Sequence, residues 1–158
     1  MEITPEVLEK IREKFKTNSF PTLLGIEIDS IENGRSRLVM DVTEKHLQLQ
    51  GIMHGGAIAT LIDTAVAVAI IGASEPGARF TTIELKVNYL SPIREGRVYA
   101  DAKLIRDGKR IVVAECDVFE PRGKLAARGL LTYMRLNQEL SYSSIFNAET
   151  RSGGGSPG

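Results

Sequence analysis

The sequence predicts an α+β domain in which one antiparallel sheet packs against a single buried helix. Three observations lead there. Strand-type segments rich in Val, Ile, Thr, Tyr and Phe are separated by turn dipeptides such as Asn33-Gly34 and Asp107-Gly108. One stretch, residues 52–73, is apolar all round and must therefore be wrapped by the rest of the chain. The 158 residues, 42% hydrophobic and 25% charged, match one ordinary domain with a real core.

Taken in order, residues 4–16 read as a short amphipathic helix, with Thr4 as N-cap, Pro5 at the first helical position, and Val7, Leu8, Ile11 and Phe15 on one face. Residues 25–31 and 35–42 read as a hairpin across Asn33-Gly34, the second strand alternating Leu38, Met40 and Val42 with Arg35, Arg37 and Asp41. The apolar helix follows. Four further strands are expected near 80–90, 97–106, 110–120 and 124–136, divided by Ser91-Pro92 with Gly96, by Asp107-Gly108 and by Arg122-Gly123. The order β-β-α-β-β-β-β makes one domain over residues 1–136. Residues 137–158 turn polar and Gly/Ser-rich, and we expect a tail whose last part is disordered.

Composition removes several function classes. Twenty basic and twenty acidic side chains balance, so the broad positive field of a nucleic-acid binder is not expected. Cys116 is the only cysteine and the N-terminal segment has no apolar signal core, which together predict a cytoplasmic protein. Residues 52–73 are long enough to consider as a membrane span. Against that, Asp63 falls near the middle, Gly and Ala outnumber large aliphatics, and no aromatic or basic residues bracket the stretch closely. With two histidines and one cysteine, no structural zinc site is expected.

The chemistry concentrates in HGGAIATLIDTAVAVAI, which starts at His54. Gly55 and Gly56 lack Cβ atoms, so a ligand can approach the backbone where the first helical amides are unpaired. Such amides, aided by the helix dipole, can polarise a carbonyl and hold a developing oxyanion. A tight turn that admits close packing also explains a Gly pair. Asp63 is the lone carboxylate of the apolar run, and an isolated buried carboxylate is costly unless something meets it. It lies seven residues after Gly56, on nearly the same face but about 10 Å along the axis, too far for one carbonyl to touch both. Two chains pairing their helices antiparallel across a two-fold axis would bring Asp63 of one to the Gly55-Gly56 end of the other. The alternative is a carboxylate that is simply hydrogen-bonded within its own chain.

Together with TTIELKVNYLSPIREG, which starts at Thr81, this motif resembles the hotdog-fold acyl-CoA thioesterases of the phenylacetate-degradation (PaaI-like) type, over roughly residues 20–136. The resemblance implies six antiparallel strands wrapped around the long helix, dimers with a continuous sheet and shared active sites, and often tetramers. It implies hydrolysis of an acyl-CoA thioester without metal or redox cofactor, coenzyme A entering only as part of the substrate. Asp63 then matches the catalytic carboxylate, as general base or as nucleophile. Gly55 and Gly56 match the amide donors, and His54 the motif histidine near the thioester, although capping the helix would also account for it. Thr82 matches a Ser or Thr that positions water or the carboxylate, although strand propensity alone would also place a Thr there. Relatives often carry Asn six positions before the histidine; here Gln48 stands there, offering the same atoms one methylene further out, with Gln50 as the alternative.

Coenzyme A is polyanionic at one end, so its nucleotide should lie on basic surface and its acyl group in an apolar pocket. Arg106, Lys109 and Arg110 flank one turn, and Arg122 and Lys124 another; Met53 is a candidate for the pocket wall. Two other readings use the same fold: a non-catalytic acyl-CoA-binding module and a dehydratase or hydratase. The first would normally carry a DNA-binding unit, for which some twenty residues before the first strand are too few. The HGG with Asp nine positions after its His favours hydrolysis over the second. A purely structural oligomer leaves Asp63 unexplained.

Overall fold

The computed structural model describes residues 3–136. The expected tail over 137–158 lies outside the described residues. Helix α1, Pro5–Lys16, starts as expected, with the Thr4 side chain accepting from the Val7 amide. A second helix, α2 (Ser19–Leu23), was not foreseen; its Pro21 sits in the first turn, where the missing N–H would have had no partner. A 3₁₀ turn over Glu44–His46 was not foreseen either.

The strands are β1 (Ile26–Glu32), β2 (Arg35–Val42), β3 (Arg79–Tyr89), β4 (Gly96–Asp107), β5 (Ile111–Phe119) and β6 (Leu125–Leu136). All pairings are antiparallel, in the order β1-β2-β4-β5-β6-β3. The long helix α3, Gly55–Gly72, lies across the inner face. Alternation follows the pleat: in β5, Val112, Ala114, Cys116 and Val118 are buried beneath the helix. Outward positions carry cross-strand ion pairs, Arg37–Asp101, Arg97–Asp41 and Arg128–Asp117, so these cations meet carboxylates rather than forming a polyanion surface.

Close approach of helix to sheet depends on missing side chains. A Cβ at Gly129 of β6 would stand 2.7 Å from Cγ2 of Ile62 on α3, and one at Gly72 would run into the Glu32 carbonyl. The expectation of a helix buried on every side needs correction. Within one chain a stripe through Gly56, Thr60, Asp63, Thr64, Ala67 and Ile71 stays partly or fully exposed, at the 3.6-residue period of one helix face. Asp63 on that stripe bonds Thr82 of β3, which among the described residues is an edge strand paired with β6 alone. Among the described residues α3 is the one helix long and apolar enough to cross a membrane, and 56% of it is buried inside the fold.

Candidate active site

Asp63 meets two hydroxyls of its own chain. Thr82 Oγ1 donates to Asp63 Oδ1 at 2.9 Å, and Tyr133 OH donates to the same oxygen at 2.6 Å. Thr82 and Tyr133 are direct partners across the β3–β6 ladder, both facing the helix. The Tyr133 OH also lies 2.8 Å from the Asp63 carbonyl oxygen. Burial, and next the hydrogen bond to Asp63, push the Tyr133 phenol well above its usual value, so it remains a proton donor. Its ring meets Phe80 edge-on, with centroids 5.9 Å apart. The sequence reading placed Thr82 near Asp63 but missed Tyr133.

The start of α3 is built by a cap. His54 adopts extended backbone, and its Nδ1 accepts from the Gly56 amide at 2.9 Å. Its carbonyl accepts from Ala57 and Ile58. With Nδ1 occupied by an N–H donor, the proton of the neutral imidazole belongs on Nε2. The Gly56 amide is therefore engaged within the chain. Of the first four helical amides, that of Gly55 has no partner among the described residues. Tyr89, at the end of β3, donates to the Gly55 carbonyl at 3.0 Å and lays its ring against Gly55, so that a Cβ there would come within 3.2 Å of it. The Gly pair thus packs closely on Tyr89 and leaves the Gly55 amide without a partner among the described residues.

The other histidine is structural. His46 is buried, its Nδ1 accepting from the Thr43 amide and its Nε2 pairing with the Leu24 carbonyl, while its own carbonyl accepts from the His54 amide. It anchors the loop that delivers His54. Gln48 in that loop donates to Gln50 at 3.3 Å and lines a cleft of about 310 Å³ with Met53, Gly55, Ile58, Tyr89 and Leu90. Within one chain neither Gln48 nor Gln50 hydrogen-bonds Asp63, whose side-chain partners are Thr82 and Tyr133. Met53 is buried in the cleft wall. A larger cavity, about 520 Å³, lies between α1 and β1 and is lined by Arg12, Phe15, Glu27 and Arg97, none of them site residues.

The two basic turns fall at opposite ends of the sheet. Arg122 and Lys124 follow Glu120, whose carboxylate accepts from both their amides, and lead into β6 where Ala126 receives the Leu90 amide at the cleft. Arg106, Lys109 and Arg110 flank the turn beside the C-terminal end of α3, where Arg135 bonds the Gly108 carbonyl, Asp107 and Ser74. One chain thus does not bring the two groups together. Among the described residues, no three His, Cys, Asp or Glu side chains are grouped for a metal ion.

Six antiparallel strands wrapped around one long helix, with a Gly-flanked helix start and a carboxylate half-way along, define a hotdog fold with a candidate thioester site. The family model of the thioesterase superfamily matches residues 50–127. Human acyl-coenzyme A thioesterase 13 is 30% identical over 130 residues, covering 80% of this chain and 92% of the relative. The structure of thioesterase HI1161 from Haemophilus influenzae superposes with a TM-score of 0.77 at 29% identity, covering 90% of this chain and 96% of that one. The PaaI protein from the E. coli phenylacetic acid degradation operon shares the fold at a TM-score of 0.76 and 24% identity, covering 82% and 93% of the two chains. The chain belongs to the thioesterase superfamily and is a thioester hydrolase.

Proposed function

We propose that the protein hydrolyses an acyl-CoA thioester to a free carboxylic acid and coenzyme A, at a site shared by two chains, with Asp63 as the reacting carboxylate. The observation that carries this reading is the layout of α3: Asp63 on its partly uncovered stripe and, at its start, the Gly55 amide, which has no partner among the described residues. Eight residues separate them, about 12 Å along the axis, so a second copy must supply one of the two to the same thioester. Human acyl-coenzyme A thioesterase 13 supports the substrate class by its name.

In the proposed site the Gly55 N–H and the positive end of α3 face the thioester carbonyl. Asp63 from the other chain acts in one of two ways. As general base it takes a proton from water, whose oxygen adds to the carbonyl carbon; the tetrahedral oxyanion rests on the amide, then collapses with breakage of the C–S bond, and the thiolate leaves as coenzyme A. As nucleophile it adds directly, releasing the thiolate and leaving a mixed anhydride that water hydrolyses. Neither route calls on a metal or redox cofactor. Gln48 and the Nε2–H of His54 stand at the Gly55 end as donors to the thioester. Antiparallel helices would carry the 106–110 turn of the other chain toward this mouth, so that Arg106, Lys109 and Arg110 join Arg122 and Lys124 around the CoA phosphates.

Free-thiol release from a panel of acyl-CoAs tests the reading. Cys116 is buried and burial holds its thiol in the protonated form, so a thiol reagent reads released coenzyme A alone. Asp63→Asn should remove most turnover while leaving acyl-CoA binding and oligomeric state unchanged. If the parent protein binds acyl-CoAs but releases no thiol from any of them, the hydrolase assignment for this substrate class fails and a binding module takes its place.

A further inference from the structure

We propose that Tyr133 is a positioning residue of the thioesterase reaction: with Thr82 it occupies Asp63 Oδ1 and so leaves Oδ2 as the oxygen that takes the proton from water or attacks the thioester. The inference rests on the reading of Asp63 as the reacting carboxylate. Its basis is geometric. Two hydroxyls, at 2.6 and 2.9 Å, converge on the same carboxylate oxygen, while Oδ2 accepts no hydrogen bond from the described residues. Both hydroxyls come from the cross-strand pair Thr82↔Tyr133, so strand register presents them to the helix as a unit.

A phenol carries one proton, and Tyr133 has two acceptors in range, Oδ1 at 2.6 Å and the Asp63 carbonyl at 2.8 Å. The charged and nearer acceptor takes it, since hydrogen bonds to a carboxylate are the shorter and stronger kind. Tyr133 is 2% exposed and its ring is held edge-on by Phe80, so the donor does not wander. Asp63, in contrast, sits on the partly open stripe of α3, where an untethered carboxylate could rotate. Fixing one oxygen is what turns the other toward the place where a thioester must lie.

Tyr133→Phe keeps the ring and removes the donor. Its kcat for the best acyl-CoA should fall roughly tenfold to a hundredfold, with KM within about twofold of the parent, because the lost interaction positions the reacting group rather than the substrate. Thr82→Val, which removes the other donor from an edge strand, should move kcat in the same direction. In an Asp63→Asn background, residual thiol release should be unchanged by adding Tyr133→Phe. The proposal is overturned if Tyr133→Phe is as active as the parent, if the loss lies in KM, or if the same fold-loss appears in both backgrounds, as a purely structural role would give. A parent protein inert toward every acyl-CoA would instead remove the reading beneath it, an outcome separate from these.

Discussion

At the scale of single residues, the proposed mechanism turns on one N–H. The cap formed by His54 takes the Gly56 amide and its carbonyl takes the next two, so the proposed mechanism assigns the oxyanion to the Gly55 amide. Gly55→Pro deletes that N–H with little other change: proline suits the first helical position, and His54 at φ −64° and ψ 135° already has the backbone that precedes a proline. We expect kcat to fall roughly a hundredfold to a thousandfold. Gly55→Ala is the control, since it brings the same Cβ toward the Tyr89 ring but keeps the N–H. It should lose far less, and equal losses would show that the ring contact matters rather than the amide. Residues of this kind were legible where they broke a local pattern: a carboxylate in an apolar run, a Gly pair before a helix. Tyr133 broke none. A tyrosine is ordinary in a strand, and its partner lies 70 residues away in sequence.

At the scale of elements, helix and sheet lie close because inner-face positions lack side chains. Gly129→Ala would place a Cβ 2.7 Å from Ile62, which is fully buried and has no room to yield. Overpacking of this kind costs about 1–3 kcal/mol. Urea unfolding should register the loss while kcat per folded molecule stays near the parent's; an unchanged midpoint would mean that the helix can lift locally. The strands and α3 were legible from periodicity and turn residues. Their neighbours in the sheet were not, because the order β1-β2-β4-β5-β6-β3 is fixed by contacts between segments remote in sequence. Helix α2 escaped notice because a short segment around Pro21 carries no period to read.

At the scale of the whole molecule, the proposed site needs two chains. Within one chain the basic turns lie at opposite ends, Asp63 and the Gly55 amide are separated along one helix, and the stripe that bears Asp63 is left partly open beside β3, an edge strand paired among the described residues with β6 alone. Composition could announce an apolar helix, but not that one stripe of it stays partly exposed within the chain. The most direct test of a shared site is complementation between two inactive variants, Asp63→Asn and Gly55→Pro, mixed in equal amounts and allowed to exchange subunits. A mixed dimer then holds one doubly altered site and one intact site. With random exchange half the dimers are mixed, so thiol release should recover to about a quarter of the parent activity. Activity that stays at the level of the separate variants, in a mixture shown by mass to contain mixed dimers, would contradict the account and confine the chemistry to a single chain.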